Sequence, residues 1–104
     1  MAFKIVVTEP DENDIDDATA FIAQDSPEAA ARWQAGLWTL IFSLDEMPMR
    51  YAVIAEADRL KIDYRSALHH SHRVIFWIDE TSNTVFVVRV YHGSRSPLAP
   101  NDLQ

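Results

Sequence analysis

Two runs of β-branched and aromatic residues, 72–79 (His-Arg-Val-Ile-Phe-Trp-Ile-Asp) and 85–92 (Val-Phe-Val-Val-Arg-Val-Tyr-His), constrain the fold of this chain more than any other feature. They flank Glu80-Thr81-Ser82-Asn83, a polar break of turn-forming residues, so the pair reads as a β-hairpin. With a side-chain period of two, Arg73, Ile75, Trp77 and Asp79 point to one face, and Val74, Phe76 and Ile78 to the other. In the second run Val85, Val87, Arg89 and Tyr91 are expected to alternate against Phe86, Val88, Val90 and His92. The run then continues into Gly93-Ser94-Arg95.

The rest of the chain has to cover this hairpin. Residues 3–8 (Phe-Lys-Ile-Val-Val-Thr) read as a short first strand. Pro10 and the acidic cluster Asp11-Glu12-Asn13-Asp14 open a helix expected over 11–24, the carboxylates favouring the positive end of its dipole and capping free N–H groups. Ile15, Ala18 and Ile22 give it one apolar stripe. Ser26-Pro27 starts a second helix, with Ser as N-cap and Pro in the first turn. Trp33, Leu37, Leu40, Ile41 and Leu44 form its core stripe, and Met47-Pro48 ends it. So short a link between the two helices demands an antiparallel helical hairpin. Residues 49–58 read as an irregular connection, 59–65 as a half-buried strand carrying Leu60, Ile62 and Tyr64 on one face, and 66–71 as a loop. The expected order is β-α-α-β-β-β, an α+β domain whose antiparallel sheet packs against an N-terminal helical hairpin. Residues 1–104 make one domain, with 96–104 an extended tail.

Charge narrows the function classes. The net charge of −7 disfavours a generic nucleic-acid binder, which needs an excess of Lys and Arg. The acidity is concentrated: residues 1–58 carry −9 and residues 59–104 carry +2. No cysteine is present, so disulfides and thiolate chemistry are excluded. No apolar run reaches the length of a membrane span, and the first residues lack the core of a signal peptide. A cytoplasmic protein is expected, with no membrane partner.

Three groups of residues bear on chemistry. His69, His70, His72 and His92 lack a neighbouring carboxylate or a helical two-histidine motif, so they read as solvated loop residues, and neither a metal site nor a cofactor is expected. Antiparallel pairing brings Arg73 beside the end of the second run, where Arg89, Tyr91, His92 and Arg95 stand, and Tyr64 and Arg65 are expected nearby. Such a cluster either holds a phosphodiester or carboxylate surface, or balances the acidic helices in exposed ion pairs worth about 0–1 kcal/mol. The residues alone support both readings equally. Trp38 and Phe42 widen the apolar surface of the second helix, either as core or as a groove for a partner.

Taken in order, these segments resemble the RelE/ParE family of toxins from bacterial type II toxin–antitoxin systems. The resemblance is carried by Thr8-Glu9 closing the first strand and by the helical turn at Asp25-Ser26-Pro27-Glu28-Ala29-Ala30. It continues through the segment from Leu40 to Pro48, Tyr64-Arg65, the run from His72 to Ile78, and Val90-Tyr91-His92-Gly93-Ser94-Arg95. It implies a growth-inhibiting toxin, bound in a hetero-oligomer by a cognate antitoxin whose C-terminal segment wraps its hydrophobic surface, Trp38 and Phe42 included. The RelE-like branch cleaves mRNA in the ribosome; the ParE-like branch poisons DNA gyrase and is not known as a nuclease. On either branch Arg65, Arg73, Arg89 and Arg95 are candidates for target binding. Arg73, Tyr91, His92 and Arg95 are the candidate catalytic residues if the chain is a nuclease. His92 and Arg95 match the His-Gly-x-Arg tail of ParE-like members, and the following Ser96-Pro97-Leu98-Ala99-Pro100 lacks the acid–base residues of the RelE-like branch. The resemblance therefore leans toward the ParE-like branch, with an endoribonuclease or an inactive binding module as alternatives.

Overall fold

The computed structural model describes residues 2–55 and 57–92, with the side chains of Asp58 and Arg59 left aside. Strand β1 (Lys4–Val7) leads into helices α1 (Glu9–Ala23) and α2 (Pro27–Ser43). A 3-10 turn (Pro48–Arg50) and the short helix α3 (Ala57–Leu60) precede strands β2 (Arg65–His69), β3 (His72–Asp79) and β4 (Thr84–His92). The sheet order is β1-β4-β3-β2. The hairpin forms as read, β3 and β4 pairing antiparallel from His72↔His92 to Asp79↔Thr84. Asn83 closes the turn at φ 51°, and the Asp79 carboxylate accepts from the Thr81 N–H at 3.0 Å.

The α+β architecture agrees with the sequence reading, with one difference in the sheet. β1 runs parallel to β4, Lys4 beside Thr84 and Val7 beside Val87, so the sheet is mixed rather than wholly antiparallel. The helical hairpin returns the chain to the sheet on the far side of β4, leaving that edge as the place where β1 docks.

Packing explains the helices. Ser26 caps α2, its Oγ accepting from the Ala29 N–H at 3.1 Å, with Pro27 behind it in the first turn. Trp33, Leu37, Ile41 and Leu44 are buried and meet Ile15 of α1 and the inward face of the sheet, Val74, Phe76, Val85, Val87 and Val90. Leu40 lies at the margin of this core. α1 begins two residues earlier than expected, and its N-cap is Thr8, whose side chain makes no cap bond. The helix α2 stops at Ser43 rather than at Met47, which takes a left-handed φ of 49° before Pro48.

The second sheet face is also covered. Ile54, Ala57 and Tyr64 pack on Ile75, Val88 and Tyr91, with Leu60, Trp77 and Phe86 alongside. Leu60 and Tyr64 therefore belong to a lid over this face and not to a strand, while Ile62 between them is exposed. Lys61 breaks the alternation at φ 63°, and the strand falls instead on Arg65–His69, which the sequence presented largely as loop. A two-residue connection, His70-Ser71, joins β2 to β3, with His70 at φ 54°.

A β-bulge shifts the alternation of β4. Phe76 pairs with Val87 and Ile75 with Arg89, so Val88 is the extra residue. Beyond it, Val90 joins Val85 and Val87 on the helix side, while Tyr91 joins Phe86 and Val88 on the other. The regular alternation expected for β4 thus holds only up to the bulge.

Candidate functional site

The end of the sheet carrying the β2–β3 turn gathers the histidines. Pairing places His69 opposite His72 and His72 opposite His92, all on the helix side. Trp33 of α2 packs among them, its ring centroid 5.0 Å from that of His72 and 5.5 Å from that of His69. The His69 Nε2–H donates to the Trp33 carbonyl at 2.9 Å. Gly36, the next residue along that side of α2, makes room for this ring: a Cβ there would lie 3.0 Å from His69 Cε1. His69 and His72 are half-buried strand residues and not solvated loop residues, whereas His70 stands exposed in the turn, as the sequence suggested, and His92 is exposed at the end of β4. Burial first, and then the neighbouring His92, His69 and His70, push the His72 imidazole below its ordinary value of 6.5, so it is neutral at pH 7. Its Nδ1 is buried with no hydrogen-bond partner. Among the described residues no three His, Asp or Glu side chains converge as a metal ligand set.

A cleft of about 670 Å³ opens beside these rings, walled by Phe21, Ile22, Trp33, His70, His72 and His92. Sequence reasoning missed it, since its walls come from α1, α2, the β2–β3 turn and β4, and no motif links them. Phe21 at its mouth is 71% exposed.

The candidate catalytic residues divide between the two faces. Arg73 pairs with Tyr91 on the face away from the helices, whereas His92 points to the helix side with His72. Tyr91 is only 2% exposed and its phenolic oxygen is buried. The Arg89 guanidinium lies 4.5 Å from the Tyr91 ring centroid. Arg89 also forks onto Asp14 of α1, Nε to Oδ2 at 2.6 Å and Nη2 to Oδ1 at 2.9 Å. Asp14 Oδ2 further accepts from the Val90 N–H at 2.9 Å. β1 pairs with β4 only as far as Val87, and Asp14 supplies an acceptor to the strand edge beyond it.

The other expected positions separate. Arg65 pairs with Phe76, away from the Arg73 end, and its Nη1 donates to the carbonyls of Tyr51 at 2.6 Å and Met49 at 3.2 Å. Tyr64 is buried within the lid, where desolvation raises its pKa. The expected gathering of Tyr64 and Arg65 with Arg73 is therefore corrected: they sit in the other half of the sheet. Arg95 and the tail 96–104 lie outside the described residues. Trp38 packs at the margin of the core and stacks on Phe42, centroids 5.6 Å apart, while Phe42 is 59% exposed. Each side of the core-or-groove alternative thus holds for one of the two rings.

Asp11, expected to assist helix capping, is buried with both carboxylate oxygens lacking a hydrogen bond. Burial, then the charges of Asp14 and Glu12, raise its pKa to about 8 against a smaller opposing effect of Arg89.

Comparison with known proteins places these features in a family. The model of the ParE toxin of the type II toxin–antitoxin system parDE matches residues 5–97. No curated protein matches the sequence closely. Among solved structures, the toxin–antitoxin complex RelBE2 from Mycobacterium tuberculosis has the same fold, with a TM-score of 0.65 at 21% identity. That match covers 88% of this chain and 92% of the other. No helix among the described residues is long and apolar enough to cross a membrane.

Proposed function

Because this chain belongs to the ParE toxin family of type II toxin–antitoxin systems, we propose that it arrests growth by binding a protein target, DNA gyrase, and does not cut mRNA. The burial of Tyr91 carries this reading. General acid–base cleavage requires groups that converge on one phosphodiester within hydrogen-bond reach, about 3 Å. Here the phenol is withdrawn beneath Arg89, and His92 stands on the opposite face of the sheet from Arg73. Arg65 and Arg89 make contacts within the molecule, and Arg73, on the face away from the helices, and Arg95 are the residues proposed to meet the target. The net charge of −7 adds long-range repulsion from ribosomal RNA. A cognate antitoxin neutralises the toxin by covering its apolar surface, with Trp38 and Phe42 in the contact.

The test sets purified toxin against gyrase supercoiling in one reaction and against translating ribosomes in another. Loss of supercoiling with intact mRNA is expected, and Arg73→Ala should weaken it. Cleaved mRNA with unimpaired supercoiling would overturn the reading.

A further inference from the structure

The histidine cleft does not end at Phe21. A second hollow of about 430 Å³ shares Ile22, Trp33 and His70 with it and extends between α1 and α2. Asp17 borders the first compartment and Arg32 the second, so the combined groove has an apolar floor with an acidic and a basic compartment. We propose that this groove docks a segment of the antitoxin bearing apolar anchors between a basic and an acidic residue, and that docking is proton-linked through the imidazoles that wall it. The proposal rests on the toxin–antitoxin reading above and adds the site, the chemistry of its occupant and its response to pH.

Charge complementarity defines the occupant. A basic residue suits the Asp17 compartment and an acidic one suits Arg32, while aliphatic or aromatic anchors cover Phe21, Ile22 and Trp33. An exposed phenylalanine at the mouth of an apolar cleft gains most from such a cover.

The sign of the linkage follows from desolvation. The groups facing His72 are Asp17 from α1, Arg32 from α2 through the adjoining compartment, His69 and His70 from β2 and its turn, and His92 from β4. An apolar occupant removes water from His72, whose charged form burial and the neighbouring imidazoles already disfavour, and lowers its proton affinity further. Binding therefore releases protons, and affinity falls as the pH drops through the imidazole range. Asp17 acts in the opposite direction from outside the ring cluster, but a basic occupant residue neutralises it.

The experiment titrates the purified full-length toxin with the protein encoded by the reading frame adjoining its gene, at pH 7.5 and 5.5 and constant ionic strength. Circular dichroism at each pH establishes that both partners are folded. The dissociation constant should rise roughly tenfold on acidification for the unmodified toxin. His72→Gln, and separately the more exposed His92→Gln, should each reduce that dependence to within about threefold. Should His72→Gln fail to fold, His92→Gln carries the comparison. Asp17→Lys and Arg32→Glu should each weaken binding at pH 7.5. Affinity independent of pH, or a dependence unchanged in His92→Gln and in every folded His72 variant, overturns the proton linkage. Unchanged affinity in both charge reversals overturns the groove while leaving the toxin–antitoxin reading intact. Absence of any binding by the unmodified toxin overturns that reading, and this inference with it.

Discussion

Asp11 occupies a position where a carboxylate is a poor choice for stability. It lies in the first turn of α1, where negative charge normally helps, yet the side chain is buried without a hydrogen bond and its pKa rises to about 8. A carboxyl whose folded pKa lies above its ordinary 3.8 binds its proton more tightly in the native state. Its favourable contribution is complete below about pH 4 and is lost as the pH rises through 8. Asp11→Asn mimics the neutral form. In urea denaturation the variant should match the parent near pH 4 and exceed it at pH 8.5 by roughly 2–4 kcal/mol. Equal pH dependence in both proteins would show that Asp11 is ionised in the native state. Nothing in the sequence distinguishes Asp11 from Glu12 beside it; burial of one and exposure of the other depends on how α1 lies against β4.

At the scale of elements, the joint between α1 and β4 rests on Asp14. One carboxylate accepts the Arg89 fork and the Val90 N–H, so a helix side chain serves the strand edge that β1 is too short to cover. Removing it leaves a half-buried guanidinium and an unpaired edge amide. Asp14→Ala should therefore cost about 2–4 kcal/mol of stability, with faster hydrogen exchange at the Val90 amide. Normal exchange there would place the anchor of the joint elsewhere. Elements whose signals are local were legible: the Ser26-Pro27 start of α2, its buried stripe, and β3 with its facing residues. The misplacement of β2 has a physical cause. Leu60 and Tyr64 pack on the sheet from a lid while Ile62 between them is exposed, so the alternation written in the sequence does not correspond to one buried strand face.

For the molecule as a whole, both sheet faces are covered, one by the helical hairpin and one by Ile54, Ala57, Leu60 and Tyr64. Phe42 lies outside both cores, stacked only on the edge of the first. Phe42→Asp should leave the melting temperature nearly unchanged while weakening the antitoxin complex at least about tenfold, as loss of an aromatic anchor does. A large drop in melting temperature would assign Phe42 to the core, and unchanged affinity would remove it from the antitoxin contact. The residues that sequence reading grouped as one site are distributed more widely. Arg73 and Tyr91 share one face, His92 takes the other, and Arg65 holds the carbonyls of Met49 and Tyr51.

The α+β class, the helical hairpin and the β3–β4 hairpin are written along the chain, because periodicity, caps and turns act over a few residues. So is the family resemblance, which rests on the order and spacing of those elements. Packing between distant segments sets the parallel docking of β1 on β4, the bulge at Val88 that turns Tyr91 to the face away from the helices, and the pairing of Asp14 with Arg89. The histidine groove belongs to the same class: its walls are assembled from separate elements, and the burial that sets their chemistry exists only once those elements have packed.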